Sequence, residues 1–237
     1  MPRDVTVSFW PWFHHRRMLP KWAGFLFFLT LAVLFWTPSS WWLLPVGFAL
    51  FFPLEYVTHR WVYHFFATRR AGSVLSKQHI AHHDTPQDLD YLFNDPRFGT
   101  LIGIVLFWVY FAITGSWGHA AALSAGNFSG FLYYEWVHLT AHRPGVRPIT
   151  PWNRLLKRSH LWHHFKNESY WYGVTTSVFD HTFRSHPDPT AVPMSPTVRT
   201  LVAPAEHEAV MERVRRDNQR GHVRTSGVRV RAGKAAV

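Results

Sequence analysis

Cysteine is absent from this 237-residue chain. Disulfides, thiolate nucleophiles and cysteine-held zinc are therefore excluded, and any bound metal must be held by His, Asp or Glu. Acidic residues are also few, 14 against 25 Lys and Arg, which leaves a formal charge of +11. Such a balance can mark a nucleic-acid binder, but the positions of the charges argue against one here. Four apolar runs hold no Lys or Arg at all: Trp22 to Trp36, Trp41 to Val57, Phe98 to Gly115 and Ala120 to Val137. Each is about 15 to 18 residues, slightly short of the roughly 20 that cross a bilayer, and flanking Trp and Tyr extend them through the interface. The mean hydropathy of −0.10 averages this aromatic-rich front with a polar, basic end.

The links Thr37-Pro38-Ser39-Ser40 and Ser116-Trp117-Gly118-His119 also lack Lys and Arg. In a four-span arrangement every basic residue then falls on one side of the membrane. The positive-inside rule makes that side cytoplasmic, with both termini there. No cleavable signal peptide is expected, because Arg16-Arg17 leads into Trp- and Phe-rich sequence without a small-residue cleavage site. The organisation expected is an interfacial segment at 1–20, a membrane domain at 21–186 and a Pro/Arg-rich tail at 187–237. That tail is expected to be disordered apart from a short charged helix over Ala205 to Asn218. Removing Pro204 to Val237 should therefore leave the site intact. The arginine- and alanine-rich end suggests a bacterial plasma membrane.

What the chain has in excess is histidine, 17 in all. Ten form four groups at the cytoplasmic ends of the spans: His59 and His64; His79, His82 and His83; His138 and His142; His160, His163 and His164. Residues four apart lie about 40° apart around a helix, so His79 with His83, His138 with His142 and His160 with His164 can each grip one ion. Ten imidazoles exceed the coordination of one ion, which implies two metals. Imidazole suits zinc, copper, nickel and iron alike. A nitrogen-rich cage beside a lipid-facing cavity favours redox chemistry on a C–H bond. A zinc hydrolase would need no reductant, and a metal transporter would hold its ligands nearer the bilayer midplane.

An internal repeat is visible in Glu55-Tyr56-Val57-Thr58-His59 and Tyr134-Glu135-Trp136-Val137-His138, each followed by a His-x-x-His-His cluster. Adjacent histidines in such a cluster sit about 100° apart and should reach different ions. Metal A is thus expected to take His59, His64, His79, His83 and His163, and metal B His82, His138, His142, His160 and His164. The weak point is His59 with His64, which lie about 140° apart on a regular helix. Glu55 and Glu135 each stand about one turn before a box histidine and are expected to orient an imidazole N–H, with Asp180 a further candidate for that role.

The order His-x4-His, His-x2-His-His, His-x3-His, His-x2-His-His resembles the histidine boxes of the membrane fatty acid hydroxylase superfamily, which is related to the sterol oxidases. Glu55 to His64, Tyr134 to His138, Ser159 to Phe165 and Tyr172 to Thr176 are similar to fatty acid 2-hydroxylases. The resemblance covers roughly Gly47 to His186. It implies an all-α fold of four transmembrane helices with a cytosolic helical cap and a di-iron centre, in which zinc can substitute. It also implies O2-dependent hydroxylation of a lipid acyl chain. A carotenoid, a sterol or a lipid headgroup is the alternative substrate. The fused haem domain frequent in eukaryotic 2-hydroxylases is not seen, so electrons are expected from a separate donor such as a cytochrome, or a ferredoxin with its reductase. The Arg143-Pro144-Gly145-Val146-Arg147-Pro148 linker departs from the family's pattern.

Overall fold

A computed structural model describes residues 10–66 and 74–225, and all regular structure among them is helical. The elements are α1 (Trp10–His14), α2 (Leu19–Leu34), α3 (Ser40–Val57), α4 (Val74–Asp84), α5 (Leu89–Leu92), α6 (Pro96–Thr114), α7 (Trp117–His142), α8 (Pro151–Phe165), α9 (Val178–Thr182) and α10 (Pro204–Thr225). A π-helical segment, Thr58–Phe66, continues α3 without a break. Residues 1–9 of the expected interfacial segment and 226–237 of the expected tail lie outside the described residues.

Local chemistry sets the helix ends. The Asp95 carboxylate accepts the Arg97 amide at 2.9 Å and Pro96 occupies the first helical position, so α6 starts there. It stops at Gly115, whose φ of 63° is easily reached only without a Cβ. Thr150 accepts the Asn153 amide at 3.1 Å and opens α8 in the same way.

The long helix α7 is the axis on which α2, α3 and α6 pack. Its N-terminal half is rich in small residues, with Ala120, Ala121, Ala122 and Ala125 almost wholly buried. Small residues at a helix interface let the backbones approach closely. The α3–α7 contact depends on this: a Cβ on Gly47 would strike the Leu123 carbonyl oxygen, and one on Gly126 that of Leu44. Phe28, Phe107 and Phe128 fill the space where α2, α6 and α7 meet. Two stretches, Ser40–Phe65 and Leu89–Thr114, are long and apolar enough to cross a membrane by length and composition, and α2 is apolar but shorter. Their outward residues, among them Leu34, Trp42, Leu101 and Ile113, are exposed.

Within the expected tail, the helix expected over Ala205 to Asn218 is α10, and the stretch before it is packed against the rest of the chain. Residues 187–202 run back across α8 and α4: Ser195 donates its amide to the Lys166 carbonyl at 2.8 Å, and Arg199 donates to the carbonyls of His83 at 3.1 Å and Asp84 at 2.6 Å. The last two bonds cap the otherwise unmet carbonyls at the end of α4. The helix α10 then lays Val210 and Val214 against Ile80 and Ala81, with Leu201 and Val202 completing the cluster. Two valines one turn apart give too small an apolar stripe to stand out in so charged a segment, yet they cover the back of a helix that carries three of the ten histidines.

Truncation after Ala203 should accordingly cost stability rather than leave the chain intact. Burial of two valines contributes on the order of 3 kcal/mol. A melting temperature in detergent lowered by several degrees, with reduced metal content, is the expected result, and an unchanged melt would show the α10–α4 contact to be dispensable.

Candidate metal centre

Four segments deliver the ten histidines to one place at the inner end of the bundle, and all ten are buried, with at most 8 % of their surface exposed. They fall into two groups, His59, His64, His79, His83 and His163 in one and His82, His138, His142, His160 and His164 in the other. Within each group the donor nitrogens lie within 4.8 Å of one another. This is the crossed division that helical geometry predicts, in which His82 and His163 each join the group dominated by the other half of the chain. The difficulty at His59 and His64 is resolved by the π helix. Its i→i+5 hydrogen bonds stack residues five apart, so both rings face the same side.

The nitrogens are arranged as ligands are. Nε2 atoms face one another at 2.8 Å in His64 and His79, 2.9 Å in His82 and His138, and 2.8 Å in His142 and His160. Neighbouring ligands about one ion at roughly 2.1 Å lie about 3 Å apart. His83 and His163 donate Nδ1–H to the carbonyls of Val198 at 3.0 Å and Tyr170 at 2.8 Å, which fixes the tautomer and leaves Nε2 with a lone pair and no partner. His164 lacks a partner at both nitrogens among the described residues. Desolvation holds the imidazoles of His79, His82, His160, His163 and His164 well below the ordinary histidine range and pushes His83 down to about 3, and neighbouring rings reinforce the effect. Neutral, desolvated rings with converging lone pairs fit metal cations and no other common ligand.

The orienting groups differ from those expected. Glu55 accepts from the Val174 amide at 2.6 Å, the Thr175 amide at 3.2 Å and the Thr175 hydroxyl instead of from an imidazole. Glu135 pairs with Lys21, both fully enclosed, and takes the Asn94 amide at 3.1 Å. Asp180 accepts from the amides of Tyr172 at 2.9 Å and Gly173 at 2.7 Å and from the Ser185 hydroxyl at 2.6 Å. Glu55 and Asp180 thus hold the loop 170–175, and that loop orients the rings through its backbone: His59 Nδ1–H donates to the Tyr172 carbonyl at 2.5 Å, as His163 does to Tyr170. The acceptors are carbonyls, which sequence inspection cannot single out. Gly173 is required, since a Cβ there would meet the Thr176 carbonyl.

An apolar chamber of about 90 Å³ opens between α3, α6 and α7, lined by Phe51, Leu54, Phe98, Ile102, Phe128 and Phe131 and reaching His59. At its inner end Tyr63, Asn94 and Tyr134 separate it from a smaller pocket on His79, His82, His138 and His160. The Tyr63 hydroxyl donates to Asn94 Oδ1 at 3.0 Å. This polar threshold, locked by Glu135 and Lys21, gives no sequence signal, because these residues are scattered over three helical segments and a loop. Of the other histidines, His119 joins the outer links through Ser39 at 2.8 Å and Thr37 at 3.0 Å, and His181 stacks on His186 at the surface end of α9.

A family model described as fatty acid hydroxylase matches residues 42–185. A dihydroceramide fatty acyl 2-hydroxylase of Arabidopsis thaliana is 32% identical over 136 residues, 56% of this chain and 56% of that protein. A ceramide very long chain fatty acid hydroxylase of Saccharomyces cerevisiae is 28% identical over 150 residues, 62% of this chain and 38% of that one. This chain therefore spans about half the length, or less, of these curated relatives. A solved structure of full-length scs7p, in which only the hydroxylase domain is visible, superposes with a TM-score of 0.63 at 26% identity, covering 73% of this chain and 66% of that chain.

The two groups differ in their support. Three rings of the first donate Nδ1 to carbonyls, whereas Nδ1 of His82, His160 and His164 in the second has no partner among the described residues. Loss of such support typically weakens metal binding by about 10- to 100-fold. Chelation of the metal-loaded protein should therefore remove the ion at the second group first. Metal analysis during EDTA treatment, with anomalous diffraction on a half-depleted crystal, checks the order; simultaneous loss would contradict it.

Proposed function

The chain belongs to the fatty acid hydroxylase family, and from that premise we propose that it is a membrane monooxygenase acting on a lipid acyl chain, in the manner of fatty acid 2-hydroxylases. The ten histidines would hold two iron ions, with zinc able to take their place in purified protein. Bound there, the irons supply activation of O2, so that one oxygen atom enters a C–H bond and the other leaves as water, with electrons from a donor such as a cytochrome or ferredoxin. The observation that carries the reading is the apolar chamber that ends on His59 beside the converging nitrogens. A single hydrocarbon chain suits so narrow a space better than the fused rings of a sterol.

The chain's own residues do the positioning. Phe51, Leu54, Phe128 and Phe131 take up the hydrocarbon and exclude water. Tyr63, Asn94 and Tyr134 form the threshold at which a carbonyl or amide near the reacting carbon would find donors. The loop 170–175 and the Val198 carbonyl hold the rings in the tautomer that presents a lone pair. Geometry of this kind lets the bound cofactor carry the hard chemistry.

In the membrane we place α2, α3, α6 and α7 as four spans, with α4, α8, α9 and α10 forming a cap on the cytoplasmic side. A reporter fused after Ser39 or Gly118 should then be external and one after Ser185 internal. Gly72, a further expected internal position, lies outside the described residues. An external Ser185 reporter would refute the arrangement.

Expression in a membrane host should add one oxygen atom to acyl lipids, read by mass spectrometry. His82→Ala and His163→Ala should each abolish the gain by depleting opposite ions. Metal uptake into vesicles without O2 consumption would favour a transporter instead, and activity with zinc in the absence of reductant a hydrolase.

A further inference from the structure

Three helices line the chamber in register, and their registers order it from one end to the other. On α7 the lining residues are Asn127, Phe128, Phe131 and Tyr134, a single face at helical spacing. Tyr134 stands at the threshold beside the histidines, so Asn127 marks the opposite end. The distal lining from α3 and α6 is Phe51, Ile102 and Gly103, all apolar. Asn127 alone is polar there.

Asn127 is 8 % exposed, and its Nδ2 has no hydrogen-bond partner among the described residues. One turn further out, the Ser124 hydroxyl is 2 % exposed and equally without a partner. A polar side chain inside a membrane helix ordinarily bonds across to a neighbouring helix, and one left unmet in hydrocarbon carries the cost of a lost hydrogen bond. An amide kept at the end of an otherwise apolar chamber therefore points to something that enters the chamber and meets it.

We infer that the distal end of the chamber is a recognition site for an oxygen carried on the substrate chain, with Asn127 as the residue that binds it. The inference rests on the acyl hydroxylase reading and narrows it to chains that bear a second, mid-chain oxygen. A hydroxyl fits best. The terminal torsion of Asn is broad and two-fold, so the side chain can offer either its nitrogen or its oxygen to the chamber, and a hydroxyl can answer both. The spacing follows from the helix. From Tyr134 to Asn127 is about 10 Å at 1.5 Å per residue. An extended chain covers about 3.5 Å in three bonds, which places the oxygen about nine bonds from the threshold.

The test is displacement of a fluorescent fatty acid from the full chain in lipid nanodiscs. The competitors are a saturated fatty acid and two analogues of equal length, one hydroxylated mid-chain and one at its terminal carbon. The mid-chain analogue should bind about 5-fold tighter than the unsubstituted acid, the worth of one hydrogen bond, and the terminal one should show no such gain. Asn127→Leu should erase the preference while still binding the unsubstituted acid. Asn127→Ala serves if that variant does not fold, as judged by its melt.

Equal binding of the three acids to the wild type would overturn the assignment, as would a preference that survives in Asn127→Leu. So would a water bridging Asn127 and Ser124 in a lipid-bound structure. Displacement requires no turnover, so the two readings fail separately. Acids that bind equally but gain oxygen would remove only the role of Asn127, and a preference without any gain of oxygen would remove only the hydroxylase.

Discussion

Everything in the inner half of this molecule serves one constraint: ten imidazoles are packed together with almost no access to water. Charged rings could not be buried at such density, so they must be neutral, and neutral rings leave a lone pair each that must find a partner. Where Nδ1 is tied to a carbonyl, as in His59, His83 and His163, the lone pair is left on Nε2. Cations between the rings would resolve the conflict. The fold is then a means of keeping ten side chains in place against their mutual crowding.

Several features that look unrelated meet this need. The widened π turn after α3 turns His59 and His64 to one side. The buried carboxylates of Glu55 and Asp180 hold backbone amides of a loop whose carbonyls orient two rings. The chain beyond α9 folds back to supply the Val198 carbonyl and to brace α4. Each acts at one remove from the nitrogens, and this is how rigid support for a metal site is commonly built.

The ion pair of Lys21 and Glu135 connects the two halves of the structure. Breaking a buried pair leaves an uncompensated charge, so its presence says more about placement than about net stability. It ties the start of α2 to α7 and fixes Asn94, one of the residues that line both the apolar chamber and the histidine pocket. The apolar chamber and the histidine pocket thereby share a polar boundary.

The sequence alone determined what depends on spacing along the chain. The four apolar runs became α2, α3, α6 and α7 because apolar length is a local property. Eight of the ten histidines divided into their two groups because the angle between residues on a helix is fixed by its pitch, while His59 and His64 needed the π turn that only the structure shows. It did not determine the partners of Glu55, Glu135 and Asp180, since a carboxylate one turn from a histidine need not face it and the real acceptors were backbone carbonyls. Nor did it show that 187–202 and α10 close over α4, because Val198, Val210 and Val214 acquire meaning only against Ile80, Ala81 and His83, more than a hundred residues away. Helical pitch and apolar length are carried along the chain, whereas the identity of a hydrogen-bond acceptor or a packing partner is settled by contacts that form only when distant segments meet.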